Sequence, residues 1–164
     1  MGAADDRVDR IRAEWQLERP DLDTSPVAVI GRLHRLAAHL TQRLCDVYAQ
    51  FGLAEGEFDV LAALRRAGPP YERVAGELAT VTMVTTGGLT KRIDRLESAG
   101  LVRRRRSTAD GRERMVRLTA AGRRLIDEAF AAHLENERRL LAVLDAADRR
   151  DLERILRRWL SEFE

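Results

Sequence analysis

Residues 74–118 read VAGELATVTMVTTGGLTKRIDRLESAGLVRRRRSTADGRERMVRL. Apolar residues recur at helical spacing over residues 74–80 and again over residues 82–99, which predicts two consecutive helices. The second is followed at once by residues 101–106, a polar turn and residues 113–118, two runs typical of paired strands. Two helices leading into a basic two-stranded ribbon predict a winged helix-turn-helix, an arrangement that binds DNA.

Positive charge is concentrated in that ribbon. The whole chain carries +2 at pH 7, whereas residues 101–124 contain nine arginines against Asp110 and Glu113, which gives +7. A local patch of this kind neutralises phosphates and releases their counterions, which supplies affinity independent of base sequence. A solvated ribbon on an unrelated domain is the alternative, but charge runs rarely follow directly after such a helix pair.

Amphipathic helices are predicted on both sides of this DNA-binding lobe. A charged helix over residues 5–19 ends at Pro20, and after a linker Ser25 is expected to cap a long helix of about seven turns. A third helix over residues 55–66 should bury Phe58, Leu61 and Leu64, and Gly68-Pro69-Pro70 should end it. After the ribbon, a helix should run to about Leu144, and Asp148 should cap a last helix.

The terminal helices carry more apolar surface than a small winged lobe can cover. This surface predicts burial against a second copy of the chain, although packing within one subunit is the alternative. A palindromic operator needs two recognition helices about 34 Å apart, which favours a homodimer. We expect a mainly α fold with an extra helix and linker over residues 1–25, dimerisation helices over residues 26–53 and 119–164, and a DNA-binding lobe with a two-stranded wing over residues 54–118.

The outward face of the second helix of the pair should meet DNA. Leu89, Ile93 and Leu96 would anchor its inner side, and Gly87 and Gly88 would allow close approach to the duplex or simply reflect loose packing. The residues predicted to contact DNA are Thr85, Thr86, Thr90, Lys91, Arg95, Arg106, Asp110 and Arg112. Threonine bonds base edges, lysine suits guanine or phosphate, and Arg112, held by Asp110 at the wing tip, suits a narrow minor groove.

The order of these features resembles the MarR family of dimeric transcriptional regulators. The resemblance covers residues 27–163 and includes Leu101-Val102 followed by arginines, the tip Asp110-Gly111-Arg112, and residues 116–119 followed by Ala121-Gly122. It implies a triangular, mostly helical dimer whose terminal helices interlock and whose wings reach the minor groove.

An N-terminal helix with Trp15, together with residues 57–61 and 90–97, is similar to the urate-responsive branch of that family. The resemblance implies that four residues take part in ligand response: Trp15, Asp59, Arg92 and Arg104. A planar anion such as a purine oxyanion suits a flat indole and a guanidinium fork. We expect Asp59 to hold an arginine until the ligand takes it and the recognition helix shifts. The alternative is an ordinary packing tryptophan and a structural ion pair.

Other ligands and switches stay open from the sequence alone. Another organic anion could replace urate, and Cys45, the only cysteine, offers a rival oxidant switch. No second cysteine is present to resolve a sulfenic acid, and Cys45 adjoins an apolar stripe where thiols are usually inert.

Motifs of other function classes are missing from the sequence. No Gly-rich phosphate loop, paired carboxylates or nucleophile with a credible histidine partner is present, so we expect no enzyme and no cofactor. His34, His39 and His133 lack metal-ligand spacing. No signal peptide and no run of about 18 apolar residues occur, which predicts a cytoplasmic protein without membrane contact. A protein-interaction module is an alternative class, but it would leave the basic ribbon unexplained.

Overall fold

The structure, a computed structural model, describes residues 5–82, 88–106 and 114–164. Helices and strands follow one another there in the order α1 Arg7–Glu18, α2 Ser25–Gln50, α3 Glu55–Arg66, β1 Glu72–Val74, α4 Ala75–Val81, α5 Leu89–Ser98, β2 Val102–Arg106, β3 Arg114–Leu118, α6 Ala120–Leu140 and α7 Ala146–Leu160. The chain divides into two compact units, Met1–Arg43 and Leu44–Glu164. The mainly helical fold class with a small antiparallel sheet is confirmed.

The start of α1 is fixed by a capping box. Asp6 accepts hydrogen bonds from the backbone N–H groups of Val8 and Asp9 at 2.7 and 3.0 Å, and Asp9 accepts one from the Asp6 N–H. Arg32 of α2 then donates to Asp6 at 2.8 Å and to Asp9 at 2.6 Å. The helix predicted over residues 5–19 is therefore present, and these bonds tie it to the first part of α2.

The long helix α2 begins at Ser25, but Ser25 is not its cap. The carboxylate of Asp23 accepts hydrogen bonds from the N–H and the hydroxyl of Ser25, both at 2.8 Å. The predicted capping role of Ser25 is wrong because the aspartate two residues earlier supplies the acceptor. Pro26 lies in the first turn, where its missing N–H removes no helical hydrogen bond.

The core of the second unit surrounds α3. Phe58, Leu61 and Leu64 are buried as predicted, and the helix ends before Gly68, whose φ of +74° lies outside the helical region. The buried side chains packed around α3 come from α4, α5, the strands and α6: Leu78, Ile93, Leu96, Val102, Val116, Leu118, Ile126 and Ala129. Each large aliphatic side chain buried there contributes about 1.5–3 kcal/mol. This packing fixes α5 and the strands on one rigid helix.

A third strand, which the sequence analysis did not predict, completes the sheet. β1 pairs with β3 antiparallel, β3 pairs with β2, and the strand order is β1-β3-β2. Val74, predicted at the start of a helix, is the last residue of β1, and α4 begins one residue later. The two-stranded wing is therefore attached through β3 to the segment that precedes the helix-turn-helix.

The recognition helix α5 is shorter than predicted. Gly88 precedes it with φ +90° and ψ 0°, a left-handed conformation that a helix cannot pass through. Thr82 ends α4 with an extended ψ of 150°. The helix predicted over residues 82–99 is wrong at Thr82 and Gly88, because the left-handed conformation of Gly88 interrupts a helix, and residues 83–87 lie outside the described part of the chain.

The last two helices are capped by short polar side chains. Thr119 Oγ1 accepts from the Gly122 N–H at 3.0 Å at the start of α6. Asp145 accepts from the N–H groups of Ala147 and Asp148 at the start of α7, so the prediction that Asp148 is the cap is wrong. None of the helices described in residues 5–82, 88–106 and 114–164 has the length and apolarity needed to cross a membrane.

Candidate nucleic-acid interface and effector site

The recognition helix presents a polar outer face. Ile93 and Leu96 are buried and Leu89 packs against the core, as predicted, whereas Thr90 and Lys91 are exposed. Threonine and lysine at the surface of such a helix are free to bond base edges or phosphates. Thr85 and Thr86, the other predicted contacts of this element, lie outside the described residues.

The two faces of the wing differ in environment, as strand alternation requires. Val102, Val116 and Leu118 point into the core, and Arg104 shares their face of β2. Arg106, predicted to contact DNA, is exposed near the end of the same strand. The predicted tip residues, Asp110 and Arg112, lie outside the described part of the chain.

Arginines face each other directly across the wing. Arg103 opposes Arg117 and Arg106 opposes Arg114, and all four side chains are exposed. Like charges directly opposite destabilise a strand pair. Among the residues that the structure describes, none of these four guanidinium groups forms an ion pair. Of these four arginines, only Arg106 was predicted to contact DNA, because the strand register that opposes them is not visible in the sequence.

Arg104 is bound to the recognition helix. Its guanidinium donates to Glu97 Oε2 at 2.8 Å, to Asp94 Oδ1 at 2.6 Å and to the carbonyl oxygen of Thr90 at 3.3 Å. Its backbone N–H donates to Glu97 Oε1 at 2.8 Å. Arg105, the next arginine along, instead pairs with Glu72 of β1 at 2.6 Å. Arg104 is thus the wing arginine that connects β2 to α5.

A recess of about 440 Å³ lies beside Arg104, between the recognition helix and the wing. Its lining includes Thr90, Ile93 and Asp94 of α5 together with Arg104 and Arg114. This volume is within the range of small-molecule sites. Of the four residues predicted to bind a ligand, Arg104 lines this recess.

Arg95 connects the recognition helix to α3. Its Nε lies 2.9 Å from Oε1 of Glu57, while 65% of its side chain is exposed. Glu57 is buried, and its other oxygen accepts from the Ala54 N–H at 2.8 Å at the start of α3. Arg95, predicted to contact DNA, is therefore also part of the contact between α5 and α3, which the sequence analysis missed.

Arg92 packs against the same turn of α3. A Cβ atom placed on Gly56 would lie 2.7 Å from Arg92 Cζ and 2.8 Å from its Cδ, so the guanidinium occupies the space that a side chain at position 56 would need. Asp59 lies three residues further along α3, on the same side of the helix. Asp59 also acts on Tyr48. Burial is the largest cause of the raised pKa of Tyr48, and the negative charges of Asp59 and Glu55 raise it further. Arg92 and Asp59 are thus both placed at the N-terminal part of α3.

The remaining predicted positions are Trp15 and Cys45. Trp15 lies on α1 in the first unit, with 53% of its side chain exposed. Cys45 is partly buried, and burial raises its pKa, as do the nearby carboxylates of Glu55 and Asp46. A raised pKa reduces the thiolate fraction that oxidants attack. Over the part of the chain that is described, no group of three or more His, Cys, Asp or Glu side chains is arranged to hold a metal ion.

Known proteins with similar sequence and structure are transcriptional regulators. The MarR family model matches residues 51–113. The HTH-type transcriptional regulator PecS of Dickeya dadantii is 38% identical over 151 residues, which cover 92% of this chain and 91% of that protein. The HTH-type transcriptional repressor Rv2887 of Mycobacterium tuberculosis is 32% identical over 134 residues, 82% of this chain and 93% of that protein.

A solved structure of a MarR mutant from Escherichia coli, complexed with operator DNA, matches with a TM-score of 0.72 and 27% identity. The match covers 85% of this chain and 99% of that one. The helix-turn-helix, the wing and these relatives agree on one class, which is a regulator and not an enzyme. The chain belongs to the MarR family of DNA-binding transcriptional regulators.

Proposed function

We propose that the protein is a cytoplasmic repressor that binds a pseudo-palindromic operator as a homodimer. A small planar anion such as urate or a related purine releases it from DNA. The proposed DNA contacts are Thr85, Thr86, Thr90, Lys91, Arg95, Arg106, Asp110 and Arg112. The proposed ligand residues are Trp15, Asp59, Arg92 and Arg104.

The observation that carries DNA binding is the set of opposed arginines in the wing. Two Arg–Arg pairs, 103 with 117 and 106 with 114, leave exposed positive charge that forms no ion pair within the described residues. A phosphate backbone neutralises such charge and gains affinity through counterion release. The exposed Thr90 and Lys91 lie on the helix that would enter the major groove, and the operator complex of Escherichia coli MarR supports the same use of the fold.

Exposed apolar side chains of the terminal helices support the homodimer. On α7 and on either side of it, several large apolar residues are more than two-fifths exposed, a degree rare for a stripe of this kind on a monomer. They are Leu141, Val143, Ile155, Leu156, Leu160 and Phe163. A second copy of the chain would cover them and would place two recognition helices on successive turns of an operator. Residues 1–25, 26–53 and 119–164 would then serve as the extra helix and the dimerisation helices, with the DNA-binding lobe between them.

The contacts of the two ligand arginines support a release mechanism. Arg104 holds β2 to α5 through Asp94 and Glu97, and Arg92 lies between α5 and α3. A planar anion that takes both guanidinium groups competes with both sets of contacts and alters the position of the recognition helix. The ligand must bind the state with low DNA affinity more tightly, and a coupling of about 1–3 kcal/mol is enough for regulation.

A salt titration tests DNA binding. The affinity for the protein's own upstream DNA should fall steeply with salt, and Arg106→Gln should lower the slope by about 0.9, which is about a 3- to 4-fold smaller loss over a fourfold rise in salt. Arg105→Gln is the matched control, because its charge is already paired with Glu72 and its slope should change less. A slope that is flat in salt, or equal affinity for random duplex, would refute the proposal and favour a protein-interaction module.

The effector is tested by comparing urate, xanthine, an aliphatic polyacid and salicylate on the same operator complex. Urate or xanthine should release the parent at the lowest concentration, and Trp15→Phe, Asp59→Ala, Arg92→Ala and Arg104→Ala should each need more. Release of all four variants at the parent's concentration would refute the ligand assignment. Release by salicylate or the polyacid alone would replace the purine with another organic anion.

A further inference from the structure

Gly56 of α3 contacts the side chain of Arg92 of α5. We infer that Gly56 is a positioning residue for Arg92: the missing side chain leaves the space in which the guanidinium lies, and so sets the orientation in which a ligand can take it. The inference rests on the proposed function only in giving Arg92 a part in ligand response. The contact itself is independent of any ligand.

The geometry leaves no room for a side chain at this position. Gly56 is buried, and a Cβ atom on it would lie 2.7 Å from Arg92 Cζ and 2.8 Å from Cδ, with Nε nearer still. Carbon atoms in van der Waals contact are about 3.5–4.0 Å apart. Even alanine would therefore displace the guanidinium, because the far end of the arginine can rotate whereas α3 is fixed by its buried face.

Backbone conformation does not require glycine at position 56. Gly56 is the second residue of α3, and the glycines with positive φ in the described residues are Gly52, Gly68, Gly88 and Gly100. Glycine is less favourable than alanine within a helix. Glycine is needed here for another reason: a larger residue at position 56 would fill the space that the Arg92 side chain occupies.

The contacts next to Gly56 confine the effect to Arg92. Glu57, the following residue, holds Arg95 one helical turn along α5. The buried side chains of Ile93 and Leu96, together with this ion pair, keep the backbone of α5 beside α3 when the Arg92 guanidinium moves. Substitution of Gly56 should thus change the ligand response while leaving the outer, DNA-facing side of α5 in place.

A thermodynamic cycle tests the contact without any ligand. Gly76, also the second residue of a helix, provides the matched control, because a Cβ atom there meets nothing within 4 Å. Gly76→Ala should melt at or above the parent temperature, and Gly56→Ala should melt below Gly76→Ala because it displaces the Arg92 guanidinium. In an Arg92→Ala background, Gly56→Ala should raise the melting temperature by more than it does in the parent. Melting shifts of the same sign and size in both backgrounds would overturn the inference.

A second measurement tests the consequence for regulation, with urate as the probe. Without urate, Gly56→Ala and Gly76→Ala should bind operator within twofold of the parent. The urate concentration for half-release should be unchanged in Gly76→Ala and at least fivefold higher in Gly56→Ala. Equal midpoints for the two variants would overturn the role in ligand response. If urate fails to release even the parent, the proposed effector and this role are both refuted, and the melting cycle still decides whether Gly56 positions Arg92.

Discussion

The start of α6 is pressed against the base of the wing, and this contact gives the sharpest stability prediction. A Cβ atom on Gly122 would lie 2.9 Å from the carbonyl carbon of Leu101 and 3.2 Å from the Leu101 Cα. The carbonyl oxygen of Leu101 would be closer still. The colliding atoms are backbone, so no side-chain rotation relieves the overlap. Gly122→Ala must move either α6 or the first residues of the wing.

The expected cost follows from what holds Leu101 in place. Its carbonyl oxygen accepts from the Thr119 N–H at 3.0 Å and from the Thr119 hydroxyl at 3.2 Å. Overpacking costs about 1–3 kcal/mol, and each strained hydrogen bond about 0.5–1.5 kcal/mol more. Alanine regains about 1 kcal/mol of helix propensity. With two hydrogen bonds affected, we expect a net loss of about 3 kcal/mol, which lowers the melting temperature by about 6–12 °C.

Urea denaturation at one fixed protein concentration measures this loss, because the stability of the proposed homodimer would depend on concentration. Gly76→Ala serves as the control and should be neutral or stabilising. Gly122→Ala should also weaken operator binding, since β2 starts at the displaced backbone. Equal midpoints for Gly122→Ala and Gly76→Ala would show that the contact between α6 and the wing base is not tight, and the reasoning would fail.

Three further predictions concern other parts of the chain. Asp145→Ala should lower the urea midpoint more than Asp148→Ala, because it removes the α7 cap. An equal loss from both variants would contradict the assignment of the cap. Because burial raises the pKa of Tyr48, its contribution to stability is fully present below pH of about 10 and is lost as pH rises above that value. Tyr48→Phe should flatten this alkaline loss, and a parent-like decline in the unfolding free energy would refute the assignment. Arg32→Ala should speed hydrogen exchange over α1, because it removes the ion pairs to Asp6 and Asp9. Arg35→Ala, at an exposed position one turn later in α2, is the control and should leave exchange unchanged.

Sequence periodicity predicted the elements whose apolar faces are long and regular. The bounds of α3 and the buried positions of Phe58, Leu61 and Leu64 follow directly from it, because one face of a 12-residue helix enters the core. In β2, Arg104 lies on the face opposite Arg103 and Arg105, as the alternation of side chains along a strand requires. Local pattern and burial agree at these positions, so no distant partner was needed to identify them.

The features that the sequence did not reveal depend on distant partners. β1 has three residues, too few for a period, and it is a strand because Arg73 pairs with Val116, far along the chain. The ion pairs of Arg104 with Asp94 and of Arg95 with Glu57 also join separate elements. Gly88 could be read as a helical residue until its φ of +90° was known. The space at Gly56 becomes visible only when α5 is packed on α3.

The middle position of β3 in the sheet has a mechanical consequence. Residues 115–117 are hydrogen-bonded ladder positions on both sides, to β1 and to β2, whereas Arg114 is paired with β2 alone. Within the described residues, the wing is therefore held by two ladders up to Met115 and by one ladder at Arg114. A force on Arg106 and Arg114 is transmitted through β3 to β1, which leads directly into α4.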